Sequence, residues 1–178
     1  MINKVYKDYP EMPYINEARD IEDWIENPHK YPYSKVEKKQ MVRLDEGLLP
    51  GDVVLLWRIG FNNFTNETHI PDYFEYRYGV NAYNSLQLLM DKGYVVECGV
   101  IESMDLIGAA QLKSVLKKYN LKLSGKKDDL IQRIIHEISE TELEKEIKTR
   151  KYLITEDGQK VLDKYTDEII KKHGIKQM

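Results

Sequence analysis

The feature that most constrains this chain is a pair of short segments with helical apolar spacing, joined by a basic link that contains a glycine. Leu112 and Leu116 stand four residues apart, and Leu130, Ile131 and Ile134 repeat the pattern after Leu121-Lys122-Leu123-Ser124-Gly125-Lys126-Lys127. This spacing predicts a helix, an extended link and a second helix. Ser124 stands where an N-cap is wanted, and Asp128 and Asp129 suit the positive end of a helix dipole, so the second helix is expected to start at Ser124. Backbone N–H groups at such a start bind anions. Gly125, without a side chain, lets a phosphate come close, while Lys126 and Lys127 add charge. Lys113 and Lys117, four apart on the first helix, extend the positive surface along one face. Between Gly108 and His136 there are seven basic residues against Asp128 and Asp129, a net +5, whereas the remainder of the chain holds 20 basic and 28 acidic residues.

The run from Asp105 to Ser139 resembles the SAP domain, a helix-extended loop-helix unit of DNA- and RNA-associated proteins. The resemblance rests on the leucine-bearing first helix, the Leu121 and Leu123 link, Ser124-Gly125-Lys126-Lys127, and Leu130, Ile131, Arg133 and Ile134 in register. It implies a nucleic-acid partner, DNA before RNA, held by Lys113, Lys117, Lys122, Ser124, Gly125, Lys126, Lys127 and Arg133. Two departures stand out. Gly108-Ala109-Ala110 puts small residues ahead of the first helix, and lysines replace most of the arginine common elsewhere in the family. Lysine is a point charge that reads the backbone better than base edges, so low sequence specificity is expected.

Outside this segment the pattern predicts a mainly α chain with a small β hairpin. An acidic helix is expected over Ile15–Glu26, a second from the capping-box arrangement at Ser34-Lys35-Val36-Glu37 to Gly47, and a third across Val53-Val54-Leu55-Leu56-Trp57, where Pro50 suits a helix start. A short aromatic helix over 70–78, a turn at Gly79-Val80-Asn81 and a helix from Ala82 to Lys92 closed by Gly93 have the order of a helix-turn-helix. Asn81, Tyr83, Asn84 and Gln87 would be its reading residues, since Asn and Gln pair with adenine edges. Tyr94–Cys98 and Lys151–Thr155 are strand candidates, and Thr155 caps a last helix with an apolar stripe of Val161, Leu162, Tyr165 and Ile169. The two strands, with Tyr152-Leu153-Ile154-Thr155-Glu156-Asp157-Gly158 ahead of Leu162, resemble the wing and final helix of a winged-helix domain. That implies a helical N-terminal arm over 1–47, a winged-helix-like core from 48–98 and 151–173, and an inserted SAP-like unit over 105–139. The combination also resembles proteins of low-GC Gram-positive bacteria and their phages.

Composition narrows the function classes. A formal net charge of −3 argues against a uniformly basic coat, so a nucleic-acid site must be local. Runs such as Val53–Trp57 are too short for a bilayer, and residues 1–8 lack a signal-peptide pattern, so the expected location is cytoplasmic. Cys98 is the one cysteine and cannot form an internal disulfide; His29, His69, His136 and His173 are scattered without ligand spacing, so no metal or other cofactor is expected. Ser124-Gly125-Lys126-Lys127 lacks the spacing of a nucleotide-binding P-loop. Neither paired carboxylates nor a nucleophile with its base stands out, and the Glu-rich run 140–146, with Leu143 and Ile147 turned inward, reads as a solvated helix. Trp24 and Trp57 are assigned to packing. The chain is therefore expected to be a non-enzymatic nucleic-acid-binding protein. The alternative is a protein-interaction adaptor that uses the acidic, tyrosine-rich N-terminal arm.

Overall fold

Pro50 and Asp52 decide the conformation of the most apolar stretch in the chain. Pro50 occupies the first helical position, and the Asp52 carboxylate accepts a hydrogen bond from the Leu49 N–H at 2.8 Å. The β-branched and leucine residues that follow are then wound into a helix buried almost all round, with Val53, Val54, Leu55, Leu56 and Ile59 fully inaccessible. The computed structural model describes residues 2–31 and 35–174. In chain order its elements are α1 (Ile2–Val5), α2 (Ile21–Glu26), α3 (Pro50–Ile59), α4 (Tyr73–Tyr76), α5 (Ala82–Asp91), β1 (Val95–Glu97), α6 (Ala109–Lys118), α7 (Lys127–Glu137), α8 (Glu140–Glu146), β2 (Tyr152–Ile154), α9 (Glu156–Tyr165) and α10 (Lys171–His173). A π turn over Thr166–Ile170 joins the last two. The protein is mainly helical, and β1 and β2 pair in antiparallel register, flanked by Cys98 N–H to the Lys151 carbonyl at 2.8 Å and Thr155 N–H to the Tyr94 carbonyl at 2.9 Å.

Two compact units result. The first holds residues 1–60, 69–95 and 154–178, and the second holds 61–68 and 96–153. In the first unit α3 packs on α5 and α9. The buried Asp52 accepts a second hydrogen bond from the Ser85 hydroxyl of α5 at 2.5 Å, and burial raises its carboxyl pKa. A Schellman turn closes α5: Tyr94 N–H reaches the Leu89 carbonyl and Gly93 N–H the Met90 carbonyl, with Gly93 at φ +75°. Thr155 caps α9 by accepting from Gly158 N–H at 3.1 Å. Gly158 has a further reason to be glycine, since a Cβ there would lie 2.3 Å from the Tyr94 carbonyl oxygen.

Two helices expected from the sequence are shorter than their apolar spacing suggests. The acidic helix begins at Ile21 rather than Ile15, because the Asp20 carboxylate caps it and Asn16 draws Ala18 N–H and Arg19 N–H into a turn. Arg19 then lies over the rings of Trp24 and Tyr76, 4.7 and 5.1 Å from their centroids, and its guanidinium pairs with Glu75 at 3.2 Å. Ser34 of the expected capping box lies outside the described residues. The stretch that follows it does not continue as a helix to Gly47 but makes a single 3₁₀ turn over Lys38–Met41. Val36 and Met41 are both buried, and the Tyr9 hydroxyl bonds the Val36 carbonyl at 2.6 Å, which fixes that residue as extended anchor rather than first helical turn.

The second unit has its own core. Leu112, Val115 and Leu116 of α6 and Leu130 and Ile134 of α7 pack with Val100, Met104 and Ile107 ahead of them and with Ile138, Leu143 and Ile147 behind. Residues 61–68 lie along 148–152: Asn66 donates from its side-chain amide to the Lys148 carbonyl and accepts from Arg150 N–H, both at 2.9 Å. Thr65 forms a bridge to Lys151. Among the described residues no helix is long and apolar enough to cross a membrane.

Candidate nucleic-acid interface

The basic corner is built from the end of α6 forward. After Lys118 the chain turns at Tyr119, and Asn120 adopts φ +54°, a left-handed conformation that asparagine tolerates better than most residues. Leu121 N–H then bonds the Leu116 carbonyl at 2.8 Å and Asn120 N–H the Lys117 carbonyl at 3.1 Å, the paired bonds of a Schellman motif. This turn drops Leu121 against the core and launches the exposed link Lys122 to Lys126.

The start of α7 differs from the expected one. Its N-cap is Lys126, not Ser124, and the helix runs from Lys127. Asp129, the third helical residue, accepts from Lys126 N–H at 2.8 Å and so closes the first turn two residues later than a serine cap would. Gly125 makes this possible. It sits at φ +132°, a region that essentially only glycine occupies, and a Cβ there would come within 3.0 Å of the Asp129 Cβ. The amides of Lys127 and Asp128 lie in the open first turn, where they lack intrahelical acceptors.

Arg133 holds the link in place. Its Nη1 donates to the carbonyls of Lys122 at 2.6 Å and Ser124 at 3.2 Å, and the residue is half-buried. Lys127 also has a structural bond, from its ammonium to the Asp105 carbonyl at 2.5 Å. Lys118 is paired with Glu146 of α8 at 2.5 Å. The side chains of Lys113, Lys117, Lys122 and Lys126 have no hydrogen bond or ion pair among the described residues, and all four are exposed. The eight expected contact residues thus divide. Four lysines project without a partner, Ser124 and Gly125 form the exposed backbone between them, and Arg133 and Lys127 are engaged in holding the corner together. The roles of Asn120, Arg133 and the Asp105 carbonyl were missed by sequence reasoning. Asn120 alone had a readable signal, an asparagine just past a helical apolar stripe.

The helix-turn-helix-like segment in the first unit has a different character. Asn81 is spent as the N-cap of α5, its Oδ1 accepting from Tyr83 and Asn84 N–H at 3.0 and 3.3 Å. Gln87 donates to Asp91 at 2.8 Å. Tyr83 is an exposed large hydrophobic side chain there, at 68%. Cys98, half-buried in the second unit, has its thiol pKa pushed up by burial, with Glu102, Asp105 and Glu97 acting in the same sense against Lys151. That is the reverse of an activated nucleophile. Among the described residues no group of three or more His, Cys, Asp or Glu side chains is placed to hold a metal ion.

A family model described as SAP domain matches residues 109–138. The match begins with α6 and ends one residue after α7, so it covers both helices and the basic link but not α8, which shares their core. SAP domains are generally DNA-binding modules and are typically not enzymes. No curated protein matches the chain.

Proposed function

We propose that this chain is a non-enzymatic protein that holds duplex DNA by its phosphate backbone through the SAP domain. The observation that supports this reading best is the set of four unpartnered lysines, Lys113, Lys117, Lys122 and Lys126, on a module of a generally DNA-binding family. Phosphate contacts by lysine supply affinity with little base discrimination. The α7 N-terminus, with its open first-turn amides beside Lys126, adds N–H donors for a phosphate oxygen. Within this reading, segments 48–98 and 151–173 serve as a winged-helix-like scaffold that accommodates the 105–139 insertion, with 1–47 as its arm. The α4–α5 pair contributes through Tyr83 and Asn84, because the side chains of Asn81 and Gln87 are already occupied within the helix.

The test is fluorescence polarisation of the full chain against labelled duplex DNA, duplex RNA and single strands over a salt series. Duplex DNA is expected to bind most tightly, with affinity falling linearly in log salt at a slope of about −0.9 per neutralised phosphate. A Lys122→Glu/Lys126→Glu variant that keeps the wild-type melting temperature is expected to lose most of this binding. A folded wild type that binds none of these nucleic acids overturns the reading and favours a protein partner for the acidic arm. Equal binding of the variant moves the contact away from this corner.

A further inference from the structure

The seven basic residues between Gly108 and His136 are not disposed alike. Successive residues of a helix are about 100° apart, so Lys113 and Lys117 share one flank of the buried Leu112–Leu116 stripe while Lys118 lies on the opposite flank. On that flank Lys118 meets α8, where Glu146 takes its ammonium at 2.5 Å. Glu146 is firmly placed. Leu143 and Ile147, on either side of it, are fully buried in the core shared with α6 and α7, and the Glu146 side chain is itself only 22% exposed. Glu142, one turn earlier on α8, belongs to the same acidic edge: burial raises the pKa of the Tyr119 phenol at the end of α6, and Glu142 and Glu146 both add to that rise. An acidic edge thus stands against one side of a basic module, just beyond the residues that the SAP family model matches.

We infer that α8 is an electrostatic fence. Glu146 neutralises Lys118, and with Glu142 it repels a phosphate backbone from that flank, so the duplex engages the module only from the side of Lys113 and Lys117. This inference rests on the DNA-binding reading above. It goes further by assigning an orienting role to residues outside the matched domain, which gives the nucleic acid a single direction of approach. The fence reduces affinity. Six of the seven basic residues remain available to shape the field, and one backbone contact that the fold could have made is withheld.

The experiment is a double-mutant cycle in the full chain, read by fluorescence polarisation with labelled duplex DNA over a salt series. Glu146→Gln keeps the shape of the side chain and removes its charge. It is expected to bind about threefold more tightly, with a log–log salt slope steeper by about 0.9, the signature of one added phosphate contact by the released Lys118. Lys118→Gln alone is expected to leave the salt slope at its wild-type value and to lower affinity slightly, since Glu146 is left without its counter-charge, and in the Glu146→Gln background it should abolish the gain. Glu142→Gln is expected to raise affinity less than Glu146→Gln, since no ion pair with Lys118 is released, and it serves as a second fence variant should Glu146→Gln melt early. Wild-type binding that needs Lys122 and Lys126 but is unchanged by either glutamate substitution overturns the fence and leaves the DNA-binding reading standing. So does a salt slope shallower by about 0.9 on Lys118→Gln, which would put Lys118 in contact already. Absence of duplex binding by the folded wild type overturns the reading and the fence together.

Discussion

The guanidinium of Arg133 bonds the carbonyl oxygen of Lys122 at 2.6 Å, across eleven residues of sequence, so the second helix of the module holds the link that carries its exposed lysines. A second bond to the Ser124 carbonyl makes this a clamp on three successive peptide units. It turns an arginine that sequence alone assigns to a ligand into a positioning residue.

Replacement of this arginine separates the two roles. Arg133→Met is expected to weaken duplex binding several-fold while leaving the salt slope unchanged, because the clamp contributes geometry and not a phosphate contact. Lys126→Gln is expected to reduce the slope by about 0.9. Salt-dependent polarisation of the two variants reads the difference, and a slope change of that size for Arg133→Met would make it a direct contact.

The turn at Asn120 makes a prediction about stability. Asn120→Gly relieves a left-handed residue at a Schellman position and is expected to be neutral or mildly stabilising. Asn120→Val forces a β-branched side chain into φ +54° and should cost about 1–2 kcal/mol. Urea unfolding followed by circular dichroism measures both. Equal stability of the glycine and valine variants would mean that the turn re-forms in another way.

Arg19 and Glu75 form an ion pair whose side chains are 5% and 11% exposed, sandwiched by Trp24 and Tyr76. Glu75→Gln removes the negative charge that faces the Arg19 guanidinium in this buried pair and is expected to destabilise the chain by about 3–5 kcal/mol. The double change Arg19→Met/Glu75→Leu, which removes both charges, should recover most of that loss. Chemical denaturation of the two variants beside wild type decides it, and a single replacement as stable as wild type would show that the pair is solvated in solution.

His173 makes stability depend on pH. The imidazole is 2% exposed, its Nδ1 lies 2.5 Å from the Tyr78 hydroxyl, and the rings of Trp57, Tyr73 and Tyr78 surround it. Burial lowers its pKa below the ordinary 6.5, and the Arg77 guanidinium, which bonds the carbonyl oxygens of Lys172 and His173, acts in the same direction. The unfolded chain therefore takes up this proton first. The contribution of His173 is complete above about pH 6.5 and is lost as pH falls through the lower, folded-state value. Unfolding free energies from pH 7.5 down to pH 5 should fall more steeply for wild type than for His173→Phe. Parallel pH profiles for the two would exclude this histidine as the source. Tyr78, whose hydroxyl pKa is pushed up to about 12 by burial, stays protonated throughout this range.

What the sequence by itself determined was whatever depends on neighbours along the chain. The apolar spacing of Leu112 and Leu116, and of Leu130 and Ile134, marked two helices that both bury these residues. Pro50 announced a helix through a β-rich run, Thr155 a cap and Gly93 a stop, because each acts on backbone groups within four residues. The concentration of basic charge could be counted directly. Tertiary structure decided which of those charges have partners. The local pattern puts Lys113 and Lys118 on opposite flanks of α6 but does not say which has a partner: one projects alone and the other meets Glu146, 28 residues away. Arg133 and Lys127 were likewise claimed by carbonyls that only the fold brings near. The N-cap of α7 fell to Lys126 instead of Ser124 because Gly125 adopts a φ that moves the cap by two residues, and where the helix at 15–26 is cut short by the Asp20 cap and the Asn16 turn, the fold places Arg19 against Trp24, Tyr76 and Glu75. Periodicity and capping are short-range and leave their record in adjacent letters. The pairing of a charge is set by whatever surface packs beside it, and no local pattern carries that record.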